Sequence, residues 1–397
     1  NAVEGFFYAW TQGEHDELPA SIATRKDNAG RDEYWVPDRG PAALYAEHSV
    51  ARRYRPLAKD RCPDWGSLET AAFTYDEFIA LLRKQTNNKS GGVSGIRAEA
   101  FQALPPWTLH LMHAWLKSIY QRNLIPPMLK QSQIAPLRKS ASKPYDCRNV
   151  RPISLVEVPI KLLSQYYMGM VNEAVRDHGR LFSHLQHAFL PGRSTSQALL
   201  QCRLVLDDAL HQRPQVKQQY HGFFDIQKAY DSPPMWAQEI ALRRARIPNK
   251  LVVFEREMRT DARSMVVTKH GLTNYYAVER GTKQGWPASC LVFILIMEPL
   301  LEWLAEDKAA AYTTKTGARV VGSCYCDDLW LVAGSWTGFR RQVIRVSKFL
   351  RFLRMSLCAD KTHFSSTRKL RCPPSIALTV WKRRTVTRGP YLATEHV

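Results

Sequence analysis

The sequence of 397 residues lacks several features that would assign a structural class directly. The longest apolar run, residues 291–301, is broken by Glu298 and falls short of the roughly 20 residues that a membrane-spanning helix needs. The eight cysteines are scattered without zinc-ligand spacing, which favours free thiols in a reducing compartment. No signal-peptide pattern follows Asn1, and internal repeats and low-complexity tracts are absent. We therefore expect no membrane association and, because Met is not first, a processed chain or a fragment.

Acidic residues are scarce relative to basic ones, 36 against 56, so the formal net charge is +20. The excess is greatest near the end, where residues 338–397 hold fourteen Lys and Arg residues but only Asp360 and Glu395. A concentrated basic surface is typical of proteins that bind nucleic-acid phosphates. A solvated basic face and an anionic membrane surface remain alternatives on composition alone. Apolar residues make up 45% of the chain, which excludes wholesale disorder.

The order of elements predicts a mixed α+β fold without the regular strand–helix alternation of a Rossmann fold. A helix is expected after a threonine cap at Thr74, and helical periodicity recurs over residues 104–122, 156–178, 194–212, 233–246, 249–259, 287–306 and 337–354. Strands are predicted on both sides of a basic loop after residue 131, at YHGFFD, over 262–280 and over 318–335. Residues 1–65 hold no sustained period and are expected to be irregular.

Acidic residues occur at the ends of two strands that are too apolar for the surface. Asp225 follows HGFF, whereas Asp327 and Asp328 lie between YC and LWLV at the expected tip of a hairpin. Burying carboxylates costs free energy unless cations or donors compensate, and Mg²⁺ does so directly. Three carboxylates on adjacent strands can hold two ions ~3.5–4 Å apart for in-line displacement at phosphorus. The alternative is that Asp327 and Asp328 lie on an ordinary exposed turn.

The motifs around these acids, taken in order, resemble those of reverse transcriptases. FDIQKAYDS (224–232) resembles motif A, RGTKQGWPASCLVF (280–293) motif B and YCDDLWLVA (325–333) motif C. Upstream, NKSGGVSGIRAEAF, RNVRPISLVEVPIKLL and QHAFLPGRSTSQAL are similar to finger-region segments of non-LTR (LINE-type) retrotransposon polymerases. Downstream, LCADKTHF is similar to motif D and GPYLA to the start of the primer-grip segment. The resemblance covers residues 70–395, and it extends to organellar or domesticated proteins of this type.

The resemblance implies an α+β, right-hand polymerase fold of fingers and palm, with an antiparallel palm sheet covered by helices. The thumb is expected to be absent or truncated. The implied division is an N-terminal arm or linker at 1–69, a fingers region at 70–215 and a palm with motifs A to D at 216–370. The start of the primer-grip segment and a basic tail would occupy 371–397.

The same resemblance assigns roles to residues that match the family's motifs. Asp225, Asp327 and Asp328 would be the catalytic carboxylates that bind two Mg²⁺ ions, for which Mn²⁺ can substitute. Tyr230 would close the sugar pocket against a 2′-hydroxyl and so select dNTPs, the alternative being a core aromatic. Trp286 stands where the family has a small or polar residue, a departure that favours less efficient activity.

Further nucleotide-binding roles fall on the motif B loop and on basic residues. Gln284 and Gly285 would let an amide and the backbone approach nucleotide and template, for which glycine is apt. Arg151 and, less directly, Lys139 would clamp phosphates from the fingers. Lys361 would protonate the leaving pyrophosphate, unless it is simply a solvated base. In the basic tail, nucleic-acid binding is expected at Lys382, Arg383 and Arg384.

The function implied is that of an RNA-directed DNA polymerase, a nucleotidyltransferase that adds dNTPs to a primer 3′-hydroxyl. Its partners would be an RNA template, a DNA primer and dNTPs. One alternative is a catalytically decayed descendant that acts as a structural RNA-binding component of a ribonucleoprotein assembly, although the three retained acids argue against it. A group II intron maturase-like protein remains open, and Tyr230 disfavours an RNA-dependent RNA polymerase. A retrotransposon origin implies nucleus or cytoplasm, and an organellar protein the mitochondrion.

Overall fold

The computed structural model describes residues 49–142, 149–211, 217–359 and 361–367. Two short 3-10 helices, Ala51–Tyr54 and Lys59–Arg61, come first. The α-helices are α1 Gly66–Thr70, α2 Tyr75–Arg83, α3 Ala98–Gln102, α4 Pro106–Arg122, α5 Pro127–Lys130, α6 Val158–His178, α7 Thr195–Leu210, α8 Met235–Arg244, α9 Asn249–Glu257, α10 Ser289–Glu306 and α11 Trp336–Phe352. The strands are β1 Ser132–Arg138, β2 Val150–Val156, β3 Tyr220–Asp225, β4 Arg263–Thr268, β5 Gly271–Leu272, β6 Tyr276–Ala277, β7 Tyr312–Thr313, β8 Arg319–Val320, β9 Gly322–Tyr325, β10 Asp328–Ala333 and β11 His363–Ser366. No described helix is both long and apolar enough to cross a membrane.

The chain forms two compact units, and each unit is built from two separate chain segments. The first unit combines Asn1–Leu181 with Tyr230–Phe293, and the second combines Phe182–Ala229 with Ile294–Val397. The boundary between fingers and palm expected at 215/216 therefore falls inside the second unit. That boundary remains a prediction from the family resemblance.

The first unit packs its helices beside a sheet of order β2-β1-β4-β5, in which β6 also pairs with β4. β1 and β2 are antiparallel, whereas β1 and β4 are parallel. Helix α6 supplies much of the core, because its inner face is lined by residues such as Leu162 and Tyr167 that are almost inaccessible to solvent. The Tyr167 ring stacks on Tyr120 of α4 at a centroid distance of 3.8 Å.

The structure describes only residues 49–69 of the arm or linker expected at 1–69, and this part packs against the rest of the first unit. Tyr54 is fully buried, and the Trp65 indole N–H donates to the Ala245 carbonyl at 3.0 Å. The Leu57 backbone N–H donates to the Arg244 carbonyl at 2.9 Å. The segment has no long periodic helix for sequence patterns to detect, yet its scattered aromatic residues anchor it to the first unit.

The second unit is built on a four-stranded antiparallel sheet of order β11-β3-β10-β9. Helix α11 packs on one face, since a Cβ built at Gly222 of β3 would lie 2.8 Å from the Phe339 ring. Helix α7 packs on the other face, where its residues Val205 and Ala209 share a core cluster with Trp330 of β10. The mixed α+β fold with a helix-covered antiparallel sheet is therefore confirmed.

The predicted helix starts agree with local capping chemistry. Thr74 and Glu77 form a reciprocal capping box at the start of α2, and Ser194 and Gln197 form another at α7. The predicted helix at 287–306 begins instead at Ser289, because Pro287 lies in a turn closed by a hydrogen bond from the Ser289 N–H to the Trp286 carbonyl.

Candidate active site

The acids singled out in motifs A and C meet at one end of the sheet in the second unit. Asp225 is the last residue of β3, and its register partner on the antiparallel strand β10 is Asp328. Asp327 lies in the turn that connects β9 to β10. Partners in an antiparallel pair point to the same face, so the Asp225 and Asp328 side chains project together.

The turn that carries these acids is held in an unusual backbone conformation. Cys326 has a φ of 59°, which is rare for a residue with a side chain. Its N–H donates to the side-chain oxygen of Gln186, a fully buried residue, at 3.2 Å. Backbone hydrogen bonds also join Cys324 to Leu185 and His187 at 2.7 and 2.8 Å. The hairpin tip is thus positioned by the residues just ahead of α7.

Burial and neighbouring negative charge act against ionisation of the two motif C acids. Partial burial, reinforced by the neighbouring charges of Asp327 and Asp225, raises the pKa of Asp328 to about 6. Burial is also the main cause that raises the pKa of Asp327, with Asp225 adding to it. Neighbouring negative charge thus disfavours ionisation of Asp327 and Asp328, and a bound cation would relieve this.

Lys361 supplies one positive charge to the group. Its ammonium Nζ lies 3.1 and 3.2 Å from the two carboxylate oxygens of Asp225. Burial alone would lower the pKa of Lys361, but the hydrogen bond and charge of Asp225 outweigh burial and raise that pKa. The Lys361 side chain is 66% exposed, so the pair lies at the surface of the site and contributes little to stability.

The described residues contain no closed metal-ligand set. Among them, no three His, Cys, Asp or Glu side chains converge closely enough to hold an ion. Asp225 is instead ion-paired with Lys361. The donor set nevertheless fits a divalent cation, because carboxylate oxygens of like charge that lie close together are ligands that hard cations stabilise. The two-ion site remains a prediction.

The acids open onto a cleft between the sheet and α7. The cleft has a volume of about 320 Å³ and is mainly apolar. Its sheet side includes Asp225, Asp328 and Tyr325, and its helix side includes Leu199 and Cys202. Sequence reasoning did not identify the contribution of α7 to this cleft, because which face of the helix meets the sheet is a tertiary property.

Tyr230, five residues after Asp225, belongs to the first unit and is half-buried. Its ring stacks on Phe293 at 5.3 Å, and its hydroxyl contacts the Cys290 sulfur at 3.5 Å. Its carbonyl accepts from the Thr282 N–H at 2.6 Å. Motifs A and B therefore fix the ring jointly, which makes Tyr230 part of a packed aromatic pair as well as a candidate sugar gate.

The motif B loop is tied to strand β2 of the first unit. The Ser154 N–H donates to the Gln284 carbonyl at 2.6 Å. Gly285 has a φ of +114°, and a Cβ built there would lie 2.6 Å from the Ser154 carbonyl oxygen. Only glycine allows both this backbone conformation and this close approach.

Trp286, the departure noted in motif B, is anchored by a buried acid on α9. Its indole N–H donates to a Glu255 oxygen at 3.0 Å, and Arg259 reaches the same oxygen at 3.2 Å. Glu255 is 1% exposed, and burial raises its pKa against the opposing influence of Arg259. Burial also lowers the pKa of Lys283 to about 7, aided by the charges of Arg259 and Lys130. The sequence pattern gave no sign of Glu255 as the partner of this loop.

Arg151 and Lys139 lie on the β1–β2 hairpin, and both are exposed. Arg151 is the register partner of Leu137, and alternation places Lys139 on the same face as Leu137. The structure therefore places both basic residues on one side of the hairpin, and their role as a phosphate clamp remains a prediction. Lys382, Arg383 and Arg384, with the whole basic tail, lie outside the described residues.

An antiparallel sheet with paired carboxylates at the ends of adjacent strands is the arrangement that the resemblance to polymerases predicted for the palm. Residues 137–387 match the pattern of the family described as Reverse transcriptase (RNA-dependent DNA polymerase). The chain belongs to this reverse transcriptase family. This membership confirms the family expected from motifs A, B and C.

The relatives include proteins of retrotransposable elements. A Xenopus laevis protein named as the transposon TX1 uncharacterized 149 kDa protein is 24% identical over 291 residues, which are 70% of this chain and 22% of that protein. The R2 Pol polyprotein of Nasonia vitripennis is 26% identical over 54% of this chain and 20% of its own length. The R2DM Pol polyprotein of Drosophila melanogaster is 25% identical over 59% of this chain and 21% of its own length. The LINE-type ancestry is thus confirmed, and the chain spans about a fifth of the length of these relatives.

Solved structures with a similar backbone include telomerase from Candida tropicalis. An apo form truncated from its C-terminal domain has a TM-score of 0.45 at 12% identity, with 66% of this chain and 56% of that chain covered. A second apo telomerase structure from Candida tropicalis has a TM-score of 0.44 at 12% identity, over 66% of this chain and 50% of that chain.

Proposed function

We propose that this chain is the catalytic part of an RNA-directed DNA polymerase that extends a primer 3′-hydroxyl with dNTPs on an RNA template. The observation that carries the proposal is the register pairing of Asp225 with Asp328 beside Asp327, at the mouth of a cleft. Family membership supports the same chemistry. RNA template, DNA primer and dNTPs are the partners that we infer for it.

Asp225, Asp327 and Asp328 are the residues that would hold divalent ions, with Mg²⁺ as the proposed species and Mn²⁺ as a substitute. When bound, such ions lower the pKa of the attacking hydroxyl and stabilise charge on the leaving pyrophosphate. The protein's own contribution is to keep three carboxylates together at a fixed hairpin tip. Lys361, ion-paired with Asp225, is placed to offer a proton or a positive charge to a phosphate there.

The packed environments of the motifs favour this proposal over a purely structural RNA-binding protein. A protein that only binds RNA gains nothing from a cluster of carboxylates beside a polyanion, in which burial and neighbouring negative charge raise the pKa values of Asp327 and Asp328. Placement in the nucleus or cytoplasm, in keeping with a retrotransposon origin, is part of the proposal.

Primer extension tests the proposal directly. With Mg²⁺, the chain is expected to add dTMP to oligo(dT) on poly(rA), and to add nothing when template or primer is omitted. A matched poly(dA) template distinguishes RNA-directed from DNA-directed synthesis. Extension only on poly(dA), or only with UTP, would contradict the assignment.

Tyr230→Ala is expected to let the chain use ribonucleotides. Removing the ring eliminates the bulk that would exclude a 2′-hydroxyl, so the ratio of kcat/KM for dTTP to that for UTP should fall by roughly 10²-fold, about 2.7 kcal/mol. Tyr230→Phe is the matched control, since it keeps the ring and its stacking on Phe293 but removes the hydroxyl. Equal sugar selectivity in the alanine variant and the wild type would assign Tyr230 to core packing alone.

A further inference from the structure

Helix α11 has a charge pattern that the active site does not explain. Its sequence, WTGFRRQVIRVSKFLRF, contains five basic residues and no acidic residue. Its apolar face is buried: Phe339, Val343 and Val346 are each 3% exposed or less. Because this face is already packed within the second unit, the solvent side of the helix is defined by its cations.

Two of the five cations are already ion-paired with one acid. Arg341 and Arg345 each lie 3.1 Å from a different oxygen of Asp307. Arg340, Lys348 and Arg351 are exposed, and within the described residues none of the three has an ion pair or a side-chain hydrogen bond. We name these three residues the α11 basic face.

The α11 basic face forms a continuous stripe. Positions 340, 348 and 351 follow helical spacing on one side, with the partly exposed Ile344 between them. At 1.5 Å per residue the stripe is about 16 Å long, and a duplex presents one phosphate per ~3.4 Å of axis on each strand. Three cations on such a stripe can therefore each meet a phosphate of one strand.

A nucleic acid fits the α11 basic face better than a membrane or a protein partner does. An amphipathic helix that binds membranes inserts its apolar face, but in α11 Phe339, Val343 and Val346 are already packed in the core. Protein interfaces depend on buried aromatic or aliphatic anchors, and here Ile344 is only 37% exposed. Exposed arginines without acidic neighbours match phosphate oxygens instead.

The α11 basic face lies on the opposite side of the sheet from the acids. Gly222 of β3 faces α11, because a Cβ there would lie 2.8 Å from the Phe339 ring. Asp225 is three residues further along β3, so alternation places it on the other face. A nucleic-acid strand bound at α11 is therefore held on the side of the sheet away from the catalytic carboxylates.

We propose that the α11 basic face is a second nucleic-acid surface, which binds the phosphate backbone of a strand segment that does not occupy the catalytic cleft. The inference goes beyond the proposed polymerase activity, since it concerns holding the strand and not the chemical step. RNA and DNA share the phosphate chemistry, so the experiment below distinguishes between them.

The test compares wild type with a variant carrying Arg340→Gln, Lys348→Gln and Arg351→Gln. Binding of a labelled, unprimed RNA of about 40 nucleotides, and of DNA of the same sequence, is measured by fluorescence anisotropy from about 50 to 200 mM KCl. Each lost phosphate contact on a single strand should reduce the slope of log Kd against log salt by ~0.7, so the triple variant should lose about 2. A slope that is reduced with RNA alone identifies RNA as the ligand. An equal reduction with RNA and DNA identifies the phosphate backbone of either nucleic acid as the ligand.

The matched control carries Lys308→Gln, Lys315→Gln and Arg319→Gln, which removes the same charge from exposed positions of the second unit. It is expected to keep the wild-type slope. An unchanged slope in the α11 variant, or an equal fall in the control, would overturn the proposal. Weaker binding to phosphatidylserine vesicles, with nucleic-acid binding intact, would overturn it in favour of a membrane.

The polymerase proposal and the proposal for the α11 basic face can be contradicted independently of each other. Primer extension at saturating template–primer is expected to be unchanged in the α11 variant, because the catalytic cleft is untouched. If the wild type extends no primer, the polymerase proposal fails, while the salt slopes still decide the α11 basic face.

Discussion

Replacing Asp327 and Asp328 together by asparagine is expected to reduce primer extension on RNA by roughly 10³-fold or more, about 4 kcal/mol of transition-state stabilisation. Asparagine keeps the size of each side chain but removes the negative charge that holds and orients divalent ions. Extension is measured at saturating template–primer and dNTP, so that the measured rate reports the change in kcat. A variant that retains wild-type extension would show that motif C does not perform the chemistry.

The control for this double substitution is Asp177→Asn with Asp207→Asn. Both acids lie on helix surfaces and pair with neighbouring arginines, Arg176 and Arg203. Exposed pairs of this kind contribute little, so the control changes net charge equally and should keep both activity and stability. A loss of extension in the control would indicate a general charge effect.

Stability provides a second readout for the same variant. The folded-state pKa of Asp328 is raised to about 6, so its ionised form is less favourable in the folded chain than in the unfolded chain. This free-energy cost to the folded state is absent at pH values below the pKa of Asp328 in the unfolded chain. It reaches its full size as the pH rises through about 6, the pKa of Asp328 in the folded chain. Without divalent ions at pH 7, the Asp327→Asn, Asp328→Asn variant should therefore unfold at a temperature equal to or above that of the wild type.

Gly285→Ala is expected to lower primer extension by about 10²-fold, the size of effect that a displacement near 1 Å produces in a positioned site. A Cβ at this position would lie 2.6 Å from the Ser154 carbonyl oxygen, and φ of +114° strains any residue with a side chain. The loop must therefore move away from β2 and displace the adjacent Gln284. KM for dNTP should rise together with the fall in kcat.

Gly317→Ala is the matched control for backbone strain. Gly317 also has positive φ, +85°, but no heavy atom lies within 4 Å of the Cβ built there. It should lose a similar increment of thermal stability from strain while keeping extension. Equal activity losses in the two variants would indicate that backbone strain, and not the approach to Ser154, explains the Gly285 effect.

Local chemistry predicted much of the fold because the relevant contacts are close in sequence. The capping residues Thr74 and Ser194 fixed helix starts, and the apolar strand ending at Asp225 was visible in the letters alone. The pairing of Asp225 with Asp328 required the family resemblance, since 103 positions separate these residues along the chain and strand register is a tertiary property.

The contacts that sequence reasoning missed are long-range and specific to this chain. Glu255 is an unremarkable helix residue until folding brings its oxygen within 3.0 Å of the Trp286 indole. That contact shows how this chain accommodates a large side chain at position 286. Similarly, nothing local predicts that Tyr54 and Trp65 dock on the first unit, because isolated aromatics carry no periodic signal.

One measurement tests the central claim most directly: single-turnover incorporation of the first dTMP on a preformed complex with poly(rA)/oligo(dT), started by dTTP with Mg²⁺. The wild type is expected to extend the primer in a single phase, whereas the Asp327→Asn, Asp328→Asn variant binds the same substrate and leaves the primer unextended. Binding by both proteins with no incorporation by the wild type would contradict the polymerase assignment.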